Sequence, residues 1–405
     1  AGDGDFAAAM ERMRRLRAGI APHDGAARFR DLGVDVFLGH GRFVARDAVE
    51  VDGRRLRFRR AVIATGARPL LPPIEGLADA APLTNETVFA LERLPARLAV
   101  IGAGPIGCEL AQAFARFGSA VTLVDVAPRV LPRDDTDAAR VVAAALERDG
   151  VRLLLGVEVR RVRREGDERT VAWAPRDGDG GGTAGELAAD EVLVAVGRAP
   201  NVEGLGLEAA GVEYGRAGVE VDDRLRTRNR RVYAAGDVSS RWKLTHAADA
   251  EARIVLQNAL FRGRKKASAL VVPWCTYTSP EVAQVGLTAA DAEARGIPFD
   301  AVTVPFAAVD RAVLDGETEG FLRVVLERGG DRILGATLVS EHAGESIGEL
   351  TLAMGAGLGL GRLAGTIHPY PTQAEAIKKA ADQWRRGKLT PAVKRAFAAW
   401  FAAWR

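Results

Sequence analysis

The sequence predicts an α/β fold wound as strand, helix and strand, followed by a mixed α+β segment. The apolar run Leu98–Ile101 ends in a glycine-rich turn, a helix with one apolar face runs through Phe117, and a second strand covers 120–124. Strands that alternate with helices in this way are typical of parallel sheets. From Pro273 to about Trp384 the pattern changes to antiparallel strands with helices.

The elements before this unit have weaker signals. Residues 6–31 predict a helix followed by a loop, and 34–38 a short strand. A hairpin is predicted over 42–58, with Asp-Gly as its turn. The apolar run 61–64 predicts a buried strand that stops at a glycine turn, and 86–91 a capped helix.

The elements after this unit continue the winding. A helix is predicted over 135–149 and strands over 151–155, 192–196 and 232–235. The glycine run Gly178–Gly182 predicts a hairpin tip without a functional role.

Length and composition are those of a folded protein with two or three domains. The chain has 405 residues, of which 48% are hydrophobic and 27% charged. Lys and Arg number 56 against 53 Asp and Glu, so the small net charge of +3 favours neither a nucleic-acid partner nor an anionic-membrane surface for the chain as a whole. Two cysteines make neither a disulfide framework nor a zinc site. The sequence has no run of about 18 apolar residues and no secretory signal pattern. We therefore predict no metal site and a cytoplasmic location.

The sharpest motif is the turn Gly102-x-Gly104-x-x-Gly107, between a strand and a helix. Gly102 permits the tight turn, Gly104 lets a pyrophosphate approach the backbone, and Gly107 lets the helix pack on the strand. Asp125, 18 positions beyond Gly107, ends the next strand and is suited to accept the ribose hydroxyls. NAD is therefore favoured, although the nearby Arg129 leaves NADP open. The alternative is a glycine-rich turn without a ligand.

Two other strand ends, Thr65-Gly66 and Gly236-Asp237, are each weak signals alone. Together with four further motifs, however, they resemble the pyridine nucleotide–disulfide oxidoreductases, the flavoenzyme family of lipoamide dehydrogenase, glutathione reductase and mercuric reductase. The motifs follow the family's order over nearly the whole chain. They are Ile63–Pro69, Ile101–Glu109, Val196–Asn201, Tyr233–Asp237, Thr278–Thr288 and Ile367–Thr372.

The resemblance implies two Rossmann-like dinucleotide-binding domains and a C-terminal α+β dimerisation domain. Residues 1–94 and 218–266 would form an incomplete FAD domain, into which an NAD(P) domain, 95–217, is inserted. Residues 267–385 would form the dimerisation domain of a homodimer. The remaining residues, 386–405, predict an amphipathic helix.

The resemblance also implies cofactor contacts. Those for FAD are Gly41, Thr65, Gly66, Asp237 and the stretch Lys243, Leu244, Thr245 and His246. Those near the nicotinamide are Glu109 and Gly197.

Two of the family's features are absent from this sequence. The family begins with its own Gly-x-Gly-x-x-Gly and a Cys-x4-Cys pair, whereas this chain begins at Ala1 without either. We therefore expect an N-terminally truncated fragment that holds FAD weakly and is inactive alone. Cys108 and Cys275 match neither redox position and are interpreted as packing thiols.

A tyrosine stands at the family's base position. In lipoamide dehydrogenase and glutathione reductase this residue is a histidine, which a glutamate five residues later orients. Counting back five residues from Glu375 gives Tyr370 as the matching position, with His368 two residues before it. Mercuric reductase is similar in having a tyrosine. For His368, an acid/base role and an interface hydrogen bond both stay open.

The resemblance thus implies an FAD-dependent oxidoreductase that exchanges electrons between NAD(P)H and a small thiol or disulfide or a metal ion. The mercuric-reductase-like branch is favoured. The alternatives are a dihydrolipoamide-dehydrogenase-like activity with His368 as proton carrier, or a non-catalytic NAD-binding or dimerisation module.

The C-terminal tail predicts a helix with one apolar face. Packing on the dimer or on a partner is the plainer interpretation, and contact with a membrane through the flanking basic residues is the alternative. The apolar residues are Val393, Phe397, Trp400, Phe401 and Trp404, and the basic residues are Lys394, Arg395 and Arg405.

Overall fold

The structure, a computed structural model, describes residues 5–176 and 184–404. Within these ranges 21 strands form, β1 to β21 in chain order. They are Gly41–Ala45, Ala48–Val51, Arg54–Arg57, Ala61–Ile63, Ala67–Pro69, Arg97–Ile101, Ala120–Asp125, Arg152–Leu155, Val157–Glu165, Glu168–Pro175, Gly185–Ala189, Glu191–Val194, Arg198–Pro200, Tyr214–Gly215, Gly218–Val219, Val232–Ala234, Pro273–Thr276, Glu281–Gly286, Phe299–Pro305, Phe321–Glu327 and Ile333–Ser340.

The same ranges contain 12 α-helices, α1 to α12 in chain order, and four short 3-10 turns. The α-helices are Phe6–Asp24, Ala26–Asp31, Pro105–Phe117, Thr136–Arg148, Leu207–Ala210, Thr245–Leu260, Ala289–Ala294, Asp310–Asp315, Ala343–Gly355, Leu360–Leu363, Glu375–Gly387 and Pro391–Ala402. The 3-10 turns are Val88–Ala90, Gly236–Val238, Ala267–Ala269 and Phe306–Ala308.

The chain divides into two compact units. The first contains the residues up to Gly102, together with Ala113–Val126 and Val157–Leu270. The second contains Ala103–Gln112, Ala127–Gly156 and the residues from Val271 onward. No helix in the described residues is long and apolar enough to cross a membrane.

Parallel strand pairs organise the first unit. β12, β6 and β7 are neighbours in one parallel sheet, with Val192 opposite Ala99 and Leu98 opposite Val121. These facing residues are buried, as the apolar runs in the sequence predict for strands covered on both faces. β4 and β16 form a second parallel pair, which brings the Thr65 and Gly236 turns to the same end.

Antiparallel strands complete the first unit. β9, β10 and β11 form one sheet, in which Val171 faces Val162 and Leu187. The predicted hairpin over Gly178–Gly182 thus has its two strands, while its tip lies outside the described residues. The strands β5 and β13 pair between Ala67–Pro69 and Arg198–Pro200.

Three predictions for the N-terminal part need correction. The hairpin over 42–58 is a three-stranded sheet, β1-β2-β3, although the predicted turn is present, with positive φ at Asp52 and Gly53. Residues 34–38 are not a strand, because the Val34 amide donates to the Phe29 carbonyl, which closes the turn after α2. The helix α2 itself occupies part of the predicted loop.

The predicted helix over 86–91 is only a single 3-10 turn, Val88–Ala90. Here the Thr84 hydroxyl accepts from the Glu86 amide, and the Thr87 hydroxyl accepts from the Thr84 amide. Such local side-chain bonds stabilise a turn in place of a longer helix. The run 61–64 also differs from prediction, because Val62 is half exposed and the strand is buried on one side only.

The second unit contains a five-stranded antiparallel sheet in the order β17-β18-β21-β20-β19. The helices α9 and α11 bury their apolar faces in the same core, through residues such as Leu350 and Ile377. This arrangement agrees with the predicted α+β texture after Pro273. Arg323 on β20 also binds Asp135, the N-cap of α4, at 2.7 Å.

Candidate functional site

Gly102 requires glycine. It follows β6 directly with φ +110°, and a Cβ there would lie 2.6 Å from the Ala195 carbonyl oxygen. Its amide donates to the Val124 carbonyl at 2.8 Å, so the turn is fixed to the end of β7. A side chain at this position would therefore strain the backbone and displace the chain beside it.

Gly104 and Gly107 have different surroundings. A Cβ on Gly104 would meet no atom within 4 Å, whereas Gly107 is buried on α3. Open space beside a backbone that enters a helix is what a dinucleotide pyrophosphate requires. The turn thus fits a nicotinamide dinucleotide.

Arg129 is bound within its own loop. Its guanidinium donates to the carbonyls of Leu131, Pro132 and Asp134, at 3.2, 2.7 and 3.1 Å. Three backbone acceptors leave this arginine poorly disposed to bind a 2′-phosphate. Asp125, half buried, is the last residue of β7, where the motif predicts it.

Thr65 and Gly66 are joined to Asn201. The Thr65 hydroxyl donates to the Asn201 carbonyl at 2.8 Å, and the Asn201 side-chain amide donates to the Thr65 carbonyl at 2.9 Å. The Asn201 backbone amide donates to the Gly66 carbonyl at 3.0 Å. Gly66 has φ +68° with no atom within 4 Å of its Cβ direction, so a ligand can approach this turn closely.

Asp237 is held by Arg198 and lies beside Lys243. The Arg198 Nε is 3.1 Å from the Asp237 carboxylate, and the Arg198 Nη2 donates to the Ala67 carbonyl. The Lys243 ammonium donates to the Asp237 backbone carbonyl. Burial lowers the pKa of Lys243, and the Asp237 charge opposes that shift. The structure thus brings Thr65, Gly66 and Asp237 into one cluster with Arg198.

The remaining candidates of the first unit are Leu244, Thr245, His246, Gly197 and Gly41. Leu244 is the N-cap of α6, and Thr245 and His246 are exposed on its first turn. Gly197 has φ +131° and an open Cβ direction. Gly41 begins β1, where it pairs with Val51.

Glu109 is a candidate of the second unit. Its Oε1 accepts from the Tyr277 amide at 2.8 Å, and burial raises the pKa of Glu109 against that hydrogen bond. Cys275, two residues before Tyr277, has its pKa raised to about 12 by burial and by nearby carboxylates. Cys108 is buried and contacts the Ala103 carbonyl at 3.3 Å. Both thiols have the surroundings of packing residues.

Tyr370 and His368 have different partners. The Tyr370 hydroxyl donates to Asp310 at 3.0 Å, and this carboxylate raises the pKa of Tyr370. Lys379 binds Asp310 in turn, at 3.3 Å. His368 is 3.0 Å from both Glu349 oxygens, and its side chain is only 5% exposed, whereas Tyr370 is 69% exposed.

Glu375 is not the residue that binds Tyr370. One of its oxygens is 3.7 Å from Lys379, while Oε2 is buried without a hydrogen-bond partner in the described chain. Three residues that the sequence did not predict contact the candidate residues. Arg198 binds Asp237, Asp310 binds Tyr370, and Glu349 binds His368. Arg198 lies within a family motif, but no local pattern marks Asp310 or Glu349, which lie 60 and 19 positions from their partners.

The described residues fit both dinucleotides of a flavin-dependent oxidoreductase. The Gly104 turn leaves room for the nicotinamide dinucleotide, and the Gly66 turn beside Asp237 and Lys243 offers a second cradle with an acidic and a basic group. The fold and these sites define a dinucleotide-binding α/β protein.

Comparison with known proteins identifies the family. Residues 10–252 match the family profile of pyridine nucleotide-disulphide oxidoreductase, and residues 272–381 match that family's dimerisation domain. The chain belongs to this family. It is an FAD- and NAD(P)-dependent oxidoreductase of the disulfide-reductase type.

Individual relatives agree with this assignment. The chain is 36% identical to mercuric reductase of Lysinibacillus sphaericus over 95% of its own length and 71% of that protein. It is 36% identical to dihydrolipoyl dehydrogenase of Thermus scotoductus, over 86% of its own length and 75% of that protein. Among solved structures, the HOCl-induced flavoprotein disulfide reductase RclA from Escherichia coli is similar, with a TM-score of 0.84 and 29% identity over 94% of this chain and 86% of that one.

Proposed function

We propose that this oxidoreductase uses NADH to reduce a soft metal ion or a small disulfide, in the manner that the name of its mercuric reductase relative describes. The observation that carries the proposal is the exposed Tyr370 at the family's base position, hydrogen-bonded to Asp310. A phenol whose pKa is raised further by a carboxylate is a poor proton shuttle at neutral pH. Tyr370 therefore orients or ligates the substrate.

Residues of the family's motifs would hold the cofactors. The glycines of the Gly102 turn, with Asp125, Glu109 and Gly197, would bind the nicotinamide cofactor. Thr65, Gly66, Asp237, Gly41 and the stretch from Lys243 to His246 would bind FAD, which, when bound, accepts hydride from NADH. The preference for NADH over NADPH is supported by the bonds of Arg129 to its own loop.

The domain division follows from the same assignment. Residues 1–94 and 218–266 would form the FAD domain, 95–217 the NAD domain, 267–385 the dimerisation domain and 386–405 a terminal helix. A homodimer follows from the dimerisation domain.

A dihydrolipoyl-dehydrogenase-like activity is the second candidate, supported by the relative from Thermus scotoductus and by the His368–Glu349 pair. A histidine bound to a carboxylate is a suitable proton carrier. However, the His368 side chain is nearly inaccessible, whereas Tyr370 is exposed, which favours the first proposal.

Steady-state kinetics distinguish the two candidates. NADH oxidation is measured with FAD present on the chain joined to a segment that supplies the family's Gly-x-Gly-x-x-Gly and Cys-x4-Cys pair, first with a thiolate-bound mercuric ion and then with lipoamide as acceptor. We expect turnover only with the metal ion or a small disulfide, and loss of it in Tyr370→Phe. Lipoamide turnover that is abolished by His368→Ala and unaffected by Tyr370→Phe would establish the second candidate instead.

A further inference from the structure

The C-terminal helix α12 is exposed along nearly its whole length, with only Val393 half-buried among its residues. It begins after Thr390, whose hydroxyl accepts from the Val393 amide at 3.3 Å, and Pro391 stands in its first turn. None of its residues is buried within the chain. Cap and proline are both strong start signals, so the helix is specified locally without a tertiary partner.

Its large apolar residues lie on one face. At about 100° per residue, Val393, Phe397, Trp400, Phe401 and Trp404 fall within an arc of about 100°. The four aromatic side chains are 49, 60, 62 and 77% exposed, in chain order. They contact one another in two pairs, Phe397 with Phe401 at 6.1 Å and Trp400 with Trp404 at 6.0 Å between ring centroids. The face is therefore a continuous aromatic strip that the described chain leaves open.

The charged side chains of the C-terminal segment have one sign. From residue 383 to the end the sequence has six Lys or Arg and no Asp or Glu. Lys394 and Arg395 lie on α12 itself and are exposed. The rest of the chain is nearly balanced, since the net charge is only +3. The segment therefore concentrates positive charge next to exposed aromatic rings.

From this combination we infer that α12 binds the surface of an anionic lipid bilayer and lies in the plane of the headgroups. Trp and Phe are suited to the boundary between headgroups and acyl chains, and Lys and Arg to the anionic phosphates. A twofold pairing of α12 with its copy fits less well, because it would bring together two segments that carry only positive charge. This inference does not depend on the identity of the electron acceptor.

Vesicle flotation of the purified protein tests the inference. One set of vesicles is pure phosphatidylcholine. The other contains about 30% of the anionic lipid phosphatidylglycerol. We expect binding to the anionic vesicles, weakened strongly at about 1 M salt, where the Debye length falls to about 3 Å. Trp400→Ala with Phe401→Ala should weaken binding at least about tenfold, because two aromatic anchors are lost. Removing both charges, with Lys394→Gln and Arg395→Gln, should cost about fivefold per charge.

Two matched controls accompany these variants. Phe261→Ala removes a 71% exposed ring elsewhere, and Lys394→Arg with Arg395→Lys keeps the charge; both should bind like the parent protein. The inference is overturned if the parent protein does not float with anionic vesicles, or if the aromatic variant floats as well as the parent. It is also overturned if the parent protein does not bind vesicles and sedimentation shows that the parent is a dimer and the aromatic variant a monomer. The strip would then be a subunit interface.

Discussion

Gly102 is the residue whose backbone most constrains the nucleotide turn. Gly102→Ala would force a side chain at φ +110° to within 2.6 Å of the Ala195 oxygen. We expect a loss of about 1–3 kcal/mol in the free energy of unfolding, measured with urea. Gly104→Ala is the matched control, because its Cβ meets no atom within 4 Å and stability should be nearly unchanged. Equal stability of both variants would mean that the turn is not constrained at Gly102.

Asp125 is predicted to select the nucleotide. Asp125→Ala should weaken NADH binding by about 1–3 kcal/mol, because the ribose loses a charged acceptor. The same change should narrow the preference for NADH over NADPH, because a 2′-phosphate no longer meets a carboxylate. Titration with both nucleotides measures this ratio. If the parent protein already prefers NADPH, the assignment of Asp125 is wrong.

Tyr370 is predicted to stay protonated throughout the neutral range. The Asp310 carboxylate raises its pKa above the ordinary value, so Asp310→Asn should lower that pKa again. Ultraviolet titration shows the phenolate, and the difference from Tyr370→Phe isolates this residue among the four tyrosines. Ionisation of Tyr370 near pH 7 in the parent protein would make it a proton carrier after all.

At the scale of elements, Arg323 connects β20 to the beginning of α4. It binds both Asp135, which is 5% exposed, and Asp137, whose pKa it lowers. Arg323→Met would leave the buried Asp135 carboxylate with only the backbone amides of Asp137 and Ala138 as donors. The loss of its charged partner should cost about 1–3 kcal/mol of stability. The depressed pKa of Asp137 predicts that its share of this stability is present above its ordinary pKa of 3.8 and is lost as the pH falls below it.

The double variant Arg323→Met with Asp135→Asn serves as the control. Asparagine caps a helix as well as aspartate and carries no charge. The double variant should therefore regain part of the stability that Arg323→Met loses, as measured by urea unfolding. No recovery would place the effect of Arg323 in packing.

Elements with two agreeing local signals were predicted well. The strands β6, β7 and β12 are apolar runs that lie at glycine turns, and α4 has both an aspartate cap and an apolar face. The strand over 34–38 and the helix over 86–91 were each predicted from a single signal. Both predictions were wrong, because hydrogen bonds to neighbouring residues stabilise turns there. For the candidate site, the motifs predicted the glycines and Tyr370, and their roles stay predictions. Asp310 and Glu349 could not be found, because only the fold brings them to Tyr370 and His368.

At the scale of the whole molecule, two units carry different parts of the proposed reaction. The first unit holds Thr65, Gly66 and Asp237, and the second holds Tyr370 and His368. The family assignment gives the chain its cofactors. We predict that NADH enters this scheme at the Gly104 turn.

Calorimetric titration of NADH into the chain and into Gly104→Leu tests this claim most directly. The Cβ position of Gly104 is open, so the leucine should fold normally while it occupies the space of the pyrophosphate. We predict that the parent protein binds NADH with a stoichiometry near one per chain, and that the variant, equally stable to urea, loses at least about tenfold in affinity, or 1.4 kcal/mol. Unchanged NADH affinity in a folded Gly104→Leu variant would contradict the account, because the nucleotide would then bind elsewhere.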